Sequence, residues 1–107
     1  MAEQPYTLAR WFVASGQEAA FVAAWQDLAT VFLALKDPPR WGTLLRSVED
    51  PRLFYSFGPW PSMETIAAMR AHPGSTEALG KLIALCEAAE LGTYLVEATA
   101  GEAPPVV

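Results

Sequence analysis

The spacing of apolar residues changes along the chain, and each change marks a new element. Residues 6 to 14 (YTLARWFVA) are rich in aromatic and β-branched side chains, which is typical of a strand. Residues 16 to 36 then carry apolar side chains at intervals of three and four, the spacing of one helix face. This face consists of Phe21, Trp25, Leu28, Phe32 and Leu35. The pattern predicts an amphipathic helix with Ser15 as its N-cap.

The middle of the chain predicts a β-hairpin. Two short apolar segments, at 40 to 47 and 52 to 58, flank the sequence VEDP. Asp50 and Pro51 are favoured at the first and second positions of a type I turn. The two segments are therefore predicted to be neighbouring antiparallel strands.

The C-terminal half predicts two helical pieces and a last strand. Ser62 is the predicted N-cap of a short helix, and Ser75 is the predicted N-cap of a second helix after Pro73. The second helix is predicted to carry Cys86 on its apolar face and to end at Leu91-Gly92. Residues 93 to 99 (TYLVEAT) predict the last strand.

The predicted order is β-α-β-β-α-β, the ferredoxin-like arrangement of an α+β fold. Right-handed crossovers would place the helices on one face of an antiparallel four-stranded sheet. We expect a single domain over residues 1–107, with a core from about 5 to 99 and a loose tail at 100–107.

Both faces of the predicted sheet are apolar. In the first strand Trp11 and Val13 point to one side, and Leu8 and Phe12 point to the other. A helix-free sheet face that meets water should be polar. We therefore predict that this face packs against a second copy of the chain in a homodimer.

The charge pattern excludes two classes of partner. The formal net charge is −5 and the basic residues form no run, which argues against nucleic acid and anionic membranes. No apolar run approaches the ~18 residues that a membrane span needs, and no signal-peptide pattern is seen. The single cysteine, Cys86, fits a reducing compartment. We expect a cytoplasmic protein.

Five segments follow one another in the order and spacing of a known family. They are LARWFV, ASGQEAAFVAAW, LLRSVEDPRLFYSF, WPSMETIAAMRAHPGSTEALGKL and GTYLVEA. In these segments the chain resembles the antibiotic biosynthesis monooxygenase (ABM) family of dimeric α+β barrels, over about residues 5 to 99. The likeness specifies a fold more than a chemistry, because the family has no universal catalytic signature.

The resemblance implies a ligand cavity between sheet and helices, and a monooxygenase that needs no cofactor. Its substrate would be a small aromatic or quinol-type molecule, deprotonated so that it reacts with O₂ directly. The protein would supply an apolar cavity and stabilise the anion. The residues expected to bind this substrate are Trp11, Phe32, Phe54, Ser56, Trp60 and Met69.

The haem-degrading branch of the family is not matched. That branch uses an Asn on the first strand, and a Trp and a His in the second helical region. The positions that correspond here are Ala9, Met69 and Leu79, and the chain contains no Asn. Haem degradation is therefore not expected.

Three residues are candidates for catalysis, each with a structural alternative. His72, the only histidine, is either a general base near the cavity mouth or an exposed loop residue. Tyr55 offers a hydroxyl to a phenolic substrate, or serves the core or an interface. Arg46 would stabilise an anionic intermediate, or form an ion pair at the dimer interface. With one His and one Cys, no transition-metal site is expected.

A second function is compatible with the same fold. A non-catalytic or accessory dimer that binds a small hydrophobic molecule would use the same apolar residues. The absence of any Asn and of a well-placed acid–base pair favours this alternative.

Overall fold

The computed structural model of the protein describes residues 3–102. It contains four strands and three helices. These are β1 (Pro5–Val13), α1 (Glu18–Leu33), β2 (Thr43–Arg46), β3 (Leu53–Pro59), α2 (Met63–Ala71), α3 (Pro73–Ala84) and β4 (Cys86–Leu95). Of the predicted tail, residues 103–107 lie outside the described residues.

The four strands form one antiparallel sheet in the order β2-β3-β1-β4. β1 is central and pairs with β3 on one side and β4 on the other. This arrangement confirms the predicted α+β, ferredoxin-like fold. It also fixes which side chains share a face, because opposite residues of paired strands point the same way.

The helices cover one face of the sheet. Trp11 of β1 and Phe54 of β3 are 1% and 2% exposed, and both contribute to the core beneath α1. Phe21 of α1 lies against both, with ring centroids 5.5 Å from Trp11 and 5.1 Å from Phe54. Such tilted aromatic contacts add to the free energy gained from burial alone. Leu82 of α3 completes this core.

A second buried cluster lies where β3 passes into α2. Trp60 is 1% exposed and packs with Ile66 and Met69, and its ring lies 5.4 Å from that of Phe32. The turn into α2 is set by Ser62, whose hydroxyl accepts the Thr65 N–H while the Thr65 hydroxyl accepts the Ser62 N–H. This capping box confirms the predicted N-cap of the short helix.

Two predicted helix starts are wrong by a few residues. α1 begins at Glu18 with Gln17 as its cap rather than Ser15, because Gly16 adopts a φ of +85° in the intervening turn. α3 begins at Pro73 with His72 as its cap rather than Ser75. The His72 Nδ1 accepts the Gly74 N–H at 3.0 Å, and Pro73 needs no donor at the first helical position.

The predicted end of the last helix is also wrong. α3 ends at Ala84, and β4 begins at Cys86 instead of residue 93. Residues 86 to 92 include good helix formers, but β1 offers a whole open edge of backbone N–H and C=O groups. Pairing from Val13–Cys86 to Pro5–Leu95 satisfies those groups, and this tertiary gain overrides local helix propensity.

Two buried serines differ in how their hydroxyls are satisfied. The Ser56 Oγ accepts the indole N–H of Trp11 at 2.9 Å, which links β3 to β1. The Ser75 side chain is 0% exposed, and its Oγ has no hydrogen-bond partner among the residues described. The same substitution at the two sites therefore isolates the value of the hydrogen bond.

We predict that Ser56→Ala lowers the free energy of unfolding by about 1–3 kcal/mol, because it leaves the buried Trp11 N–H without an acceptor. Ser75→Ala should leave stability unchanged within about 0.5 kcal/mol or raise it, since it removes an unsatisfied hydroxyl. Urea unfolding of both variants measures the difference. Equal losses at the two positions would contradict the assignment.

Candidate functional site

A cavity of about 400 Å³ lies between α1 and the sheet. Its floor is formed by the helix-facing residues of β1 and β3, and α1 contributes Trp25, Leu28 and Phe32. The loop from α1 to β2 closes one side, and α2, α3 and β4 border the other. This volume is within the range of small-molecule sites, and the lining is predominantly apolar.

The four tryptophans of the chain all line this cavity: Trp11, Trp25, Trp41 and Trp60. Two of them are oriented by hydrogen bonds to hydroxyls that also line it. Trp11 donates to the Ser56 Oγ and Trp60 donates to the Thr7 Oγ1, each at 2.9 Å. The rings are thereby fixed as rigid, flat walls, a surface suited to a planar aromatic ligand.

Most of the predicted substrate-binding residues lie in the cavity wall. Trp11, Phe32, Ser56, Trp60 and Met69 all line it. Phe54 does not; it borders a second, more open hollow beside α1 and β2. The alternation along β3 correctly predicted that Phe54 faces the helices. Phe54 is buried in the main core and does not reach the cavity.

None of the three catalytic candidates lines the cavity. His72 is exposed and occupied as the cap of α3. Tyr55 is 38% exposed on the helix-free face of the sheet. Arg46 is exposed at the end of β2 and borders the second hollow. The structure thus places these side chains apart from one another and outside the larger cavity.

Sequence reasoning missed Trp41 as a cavity residue. Its segment crosses β3 at Gly58, where an added Cβ would lie 2.4 Å from the Trp41 carbonyl oxygen. Only glycine permits so close an approach. A glycine within an otherwise aromatic strand was therefore the sequence signal that another backbone segment crosses there. The ring of Trp41 contacts those of Tyr6 and Phe57, with centroids 6.0 Å away in each case.

Two arginines at the cavity were also missed. Arg40 precedes Trp41 in the loop, and Arg70 lies in the last turn of α2 and donates a 2.6 Å hydrogen bond to the Thr93 Oγ1 of β4. Among the described residues that line the cavity, these two are the only ionisable ones. The lining therefore combines two positive charges with no carboxylate, imidazole or phenol.

Cys86 has a different place from the one predicted. It opens β4, is half-buried and packs against the main core rather than lying on a helix face. Burial raises the pKa of its thiol, so the unreactive form predominates at neutral pH. Within residues 3–102, no group of three His, Cys, Asp or Glu side chains is placed to hold a metal ion.

The fold of this chain is similar to that of several solved structures. The chain superposes on SnoaB from Streptomyces nogalater, described as a cofactor-independent oxygenase, with a TM-score of 0.82 and 24% identity over 94% of this chain and all of SnoaB. A SnoaB variant with an Asn replaced by Ala gives a TM-score of 0.85, 23% identity and the same coverage. A structure described as an antibiotic biosynthesis monooxygenase gives 0.73 and 14% identity over 90% of this chain and 99% of its own.

These likenesses confirm the ABM resemblance at the level of the fold. No family model and no curated protein sequence matches the chain. No helix within residues 3–102 has the length and hydropathy that a membrane span requires.

We predict that Gly58→Ala destabilises the protein by about 1–3 kcal/mol, because the new methyl group must displace the backbone of Trp41. Gly80→Ala is the control: its Cβ meets nothing within 4 Å in α3, so it should stabilise by about 0.5–1 kcal/mol. Thermal unfolding followed by tryptophan fluorescence measures both. A neutral Gly58→Ala would show that the Trp41 segment is free to move.

Proposed function

We propose that this chain is a cofactor-independent monooxygenase acting on a small aromatic or quinol-type substrate. The observation that carries the proposal is the cavity of about 400 Å³ whose lining includes four tryptophans, in the fold shared with SnoaB. Flat apolar walls suit a planar polycyclic ligand, and the few polar groups suit its oxygen atoms.

The chemistry proposed for the cavity needs no electron carrier. The ionised phenol or enol form of the substrate transfers electrons to O₂ directly. For an anthrone, the CH₂ group becomes a carbonyl: one oxygen atom enters the product, and the other leaves as water with the two hydrogens of the carbon. The protein contributes a dry apolar site, and the arginines stabilise the negative charge that develops on the substrate.

Haem degradation is not part of the proposal. The positions that correspond to the haem-degrading branch hold Ala9, Met69 and Leu79, and all three line the cavity. None of them carries the amide, indole or imidazole that the branch uses. Their small or apolar side chains instead add to the hydrophobic wall.

We further propose that the protein acts as a cytoplasmic homodimer. The helix-free face of the sheet leaves Leu45 and Tyr55 exposed at 51% and 38%. Half-buried Phe12 and Leu53 lie opposite each other on the same face by strand register. Arg10 and Glu90 lie opposite each other on this face, and the apolar residues around them favour a second sheet as its cover. The single, unpaired Cys86 fits a reducing compartment.

One observation favours a second function, ligand binding without chemistry. The described lining offers no carboxylate, imidazole or phenol that could remove a proton from the substrate. A carrier or accessory protein would need only the apolar walls. Oxygen consumption separates the two functions, because a carrier binds the aromatic molecule and leaves O₂ untouched.

We predict that the wild-type protein accelerates O₂ uptake by anthrones in air-saturated buffer above a protein-free control. Ala29→Phe should abolish most of this acceleration, because Ala29 of α1 lines the cavity and a phenyl ring would fill it. Ala23→Phe is the matched control, since Ala23 is exposed on the same helix and lies outside the cavity. An oxygen electrode with product analysis provides the measurement.

Two outcomes would overturn the oxygenase proposal. The first is the absence of accelerated uptake across a panel of anthrones and hydroquinones. The second is an equal loss in both alanine variants, which would place the reaction outside the cavity. Binding without uptake would support the accessory function.

We predict that Leu45→Glu converts the dimer to a monomer, because it places a charge in the apolar sheet face. Ile83→Glu is the matched control, since Ile83 is an aliphatic residue of α3 with similar exposure, 48% against 51%. Light scattering at micromolar concentration measures the mass. A wild-type monomer would refute the proposed dimer.

A further inference from the structure

We propose that the cavity selects the ionised form of its ligand, an aromatic molecule whose anionic oxygen group is held at the cavity mouth by Arg70. The inference rests on the ligand site of the proposed function and names the charge state of what it takes. Four observations support it: the place of the arginines, the state of the hydroxyls, the absence of a base and the charge of the whole chain.

Arg70 is held at the rim of the cavity by two elements. Its backbone lies in the last turn of α2, and its guanidinium Nη2 donates to the Thr93 hydroxyl of β4. Within residues 3–102 it makes no ion pair, so its charge is not neutralised by a carboxylate. A guanidinium has five N–H donors, and the remaining ones are free to bind an anionic oxygen at the mouth.

The hydroxyls inside the cavity are set as hydrogen-bond donors. The Ser56 Oγ accepts from Trp11 and the Thr7 Oγ1 accepts from Trp60, and neither hydroxyl donates to another described residue. Each therefore keeps its own hydrogen available for a ligand. Guanidinium groups and these hydroxyls favour ligand oxygens that accept, such as carbonyl, phenolate and carboxylate oxygens.

The cavity has no side chain that could ionise a neutral ligand. Among its described lining residues the ionisable ones are two arginines, whose guanidinium groups donate hydrogen bonds and accept none. A ligand anion must therefore enter from solution already ionised. Because no described lining side chain can remove a proton, only a ligand that is already ionised can present an anionic oxygen to Arg70.

The charge of the cavity opposes that of the chain. The formal net charge is −5, yet the described lining carries only positive groups. An acidic surface repels anions in general, so the guanidinium of Arg70, which pairs with no described carboxylate, creates a local attraction at the apolar mouth. When the rings of the ligand are buried beside the guanidinium of Arg70, the difference in affinity between an anion and its neutral analogue increases.

The test compares two ligands of nearly the same shape, anthraquinone-2-carboxylate and anthraquinone-2-carboxamide. Binding is followed at pH 7 by quenching of the fluorescence of the cavity tryptophans. We expect the carboxylate to bind about tenfold more tightly than the amide, a difference of about 1.4 kcal/mol. Arg70→Gln should remove most of this preference by weakening carboxylate binding while the amide affinity stays unchanged.

Two controls separate the site from general electrostatics. Lys81→Gln removes one positive charge from an exposed lysine of α3 that pairs with Glu77, and it should leave both affinities unchanged. Raising the ionic strength to about 1 M, where the screening length is ~3 Å, should weaken binding of the carboxylate alone.

Three results would overturn the inference: equal affinities of the two ligands for the wild type, an equal loss of both in Arg70→Gln, or binding of neither. The readout is independent of O₂ uptake. Charge selection can therefore hold in a protein that lacks oxygenase activity, and oxygenase activity can hold without charge selection.

Discussion

The pairing of β1 with β4 along its whole length, and with β3 from Tyr6 to Phe12, is the constraint on which the structure depends. It places Trp11 opposite Phe54, and so builds the aromatic core beneath α1. It also fixes the helix-facing side of the sheet, from which Thr7 and Ser56 meet the indoles of Trp60 and Trp11. The orientation of the cavity walls follows from that register.

A cavity remains above the sheet because the register brings small residues together beneath bulky ones. Ala9 lies opposite Ser56, and both are in the cavity lining. Gly58 and Gly92 lie nearby on the flanking strands and add little volume. The tryptophans are held at the sides by packing and by hydrogen bonds, so they cannot collapse into the space. A larger residue at position 9 would convert the same aromatic set into a filled core.

The apolar patterns predicted the order of elements, the faces of β1 and β3, and the α1 stripe. These features could be predicted because side-chain alternation and helical spacing are local properties of the chain. The extent of β4 was not predictable in the same way. Residues 86 to 92 have helix-forming composition, and only the open edge of β1 makes the extended form better.

The sequence by itself determined an acidic α+β chain with a doubly apolar sheet. The structure placed five of the six residues expected to bind substrate at the cavity wall. The tertiary structure decided that a void exists, that Trp41 closes it over Gly58, and that Arg40 and Arg70 are its charged groups. The reason is physical: faces and stripes repeat over a few residues, whereas the void and its rim are made by segments far apart in sequence. Their distance and packing volume appear only when the sheet has formed.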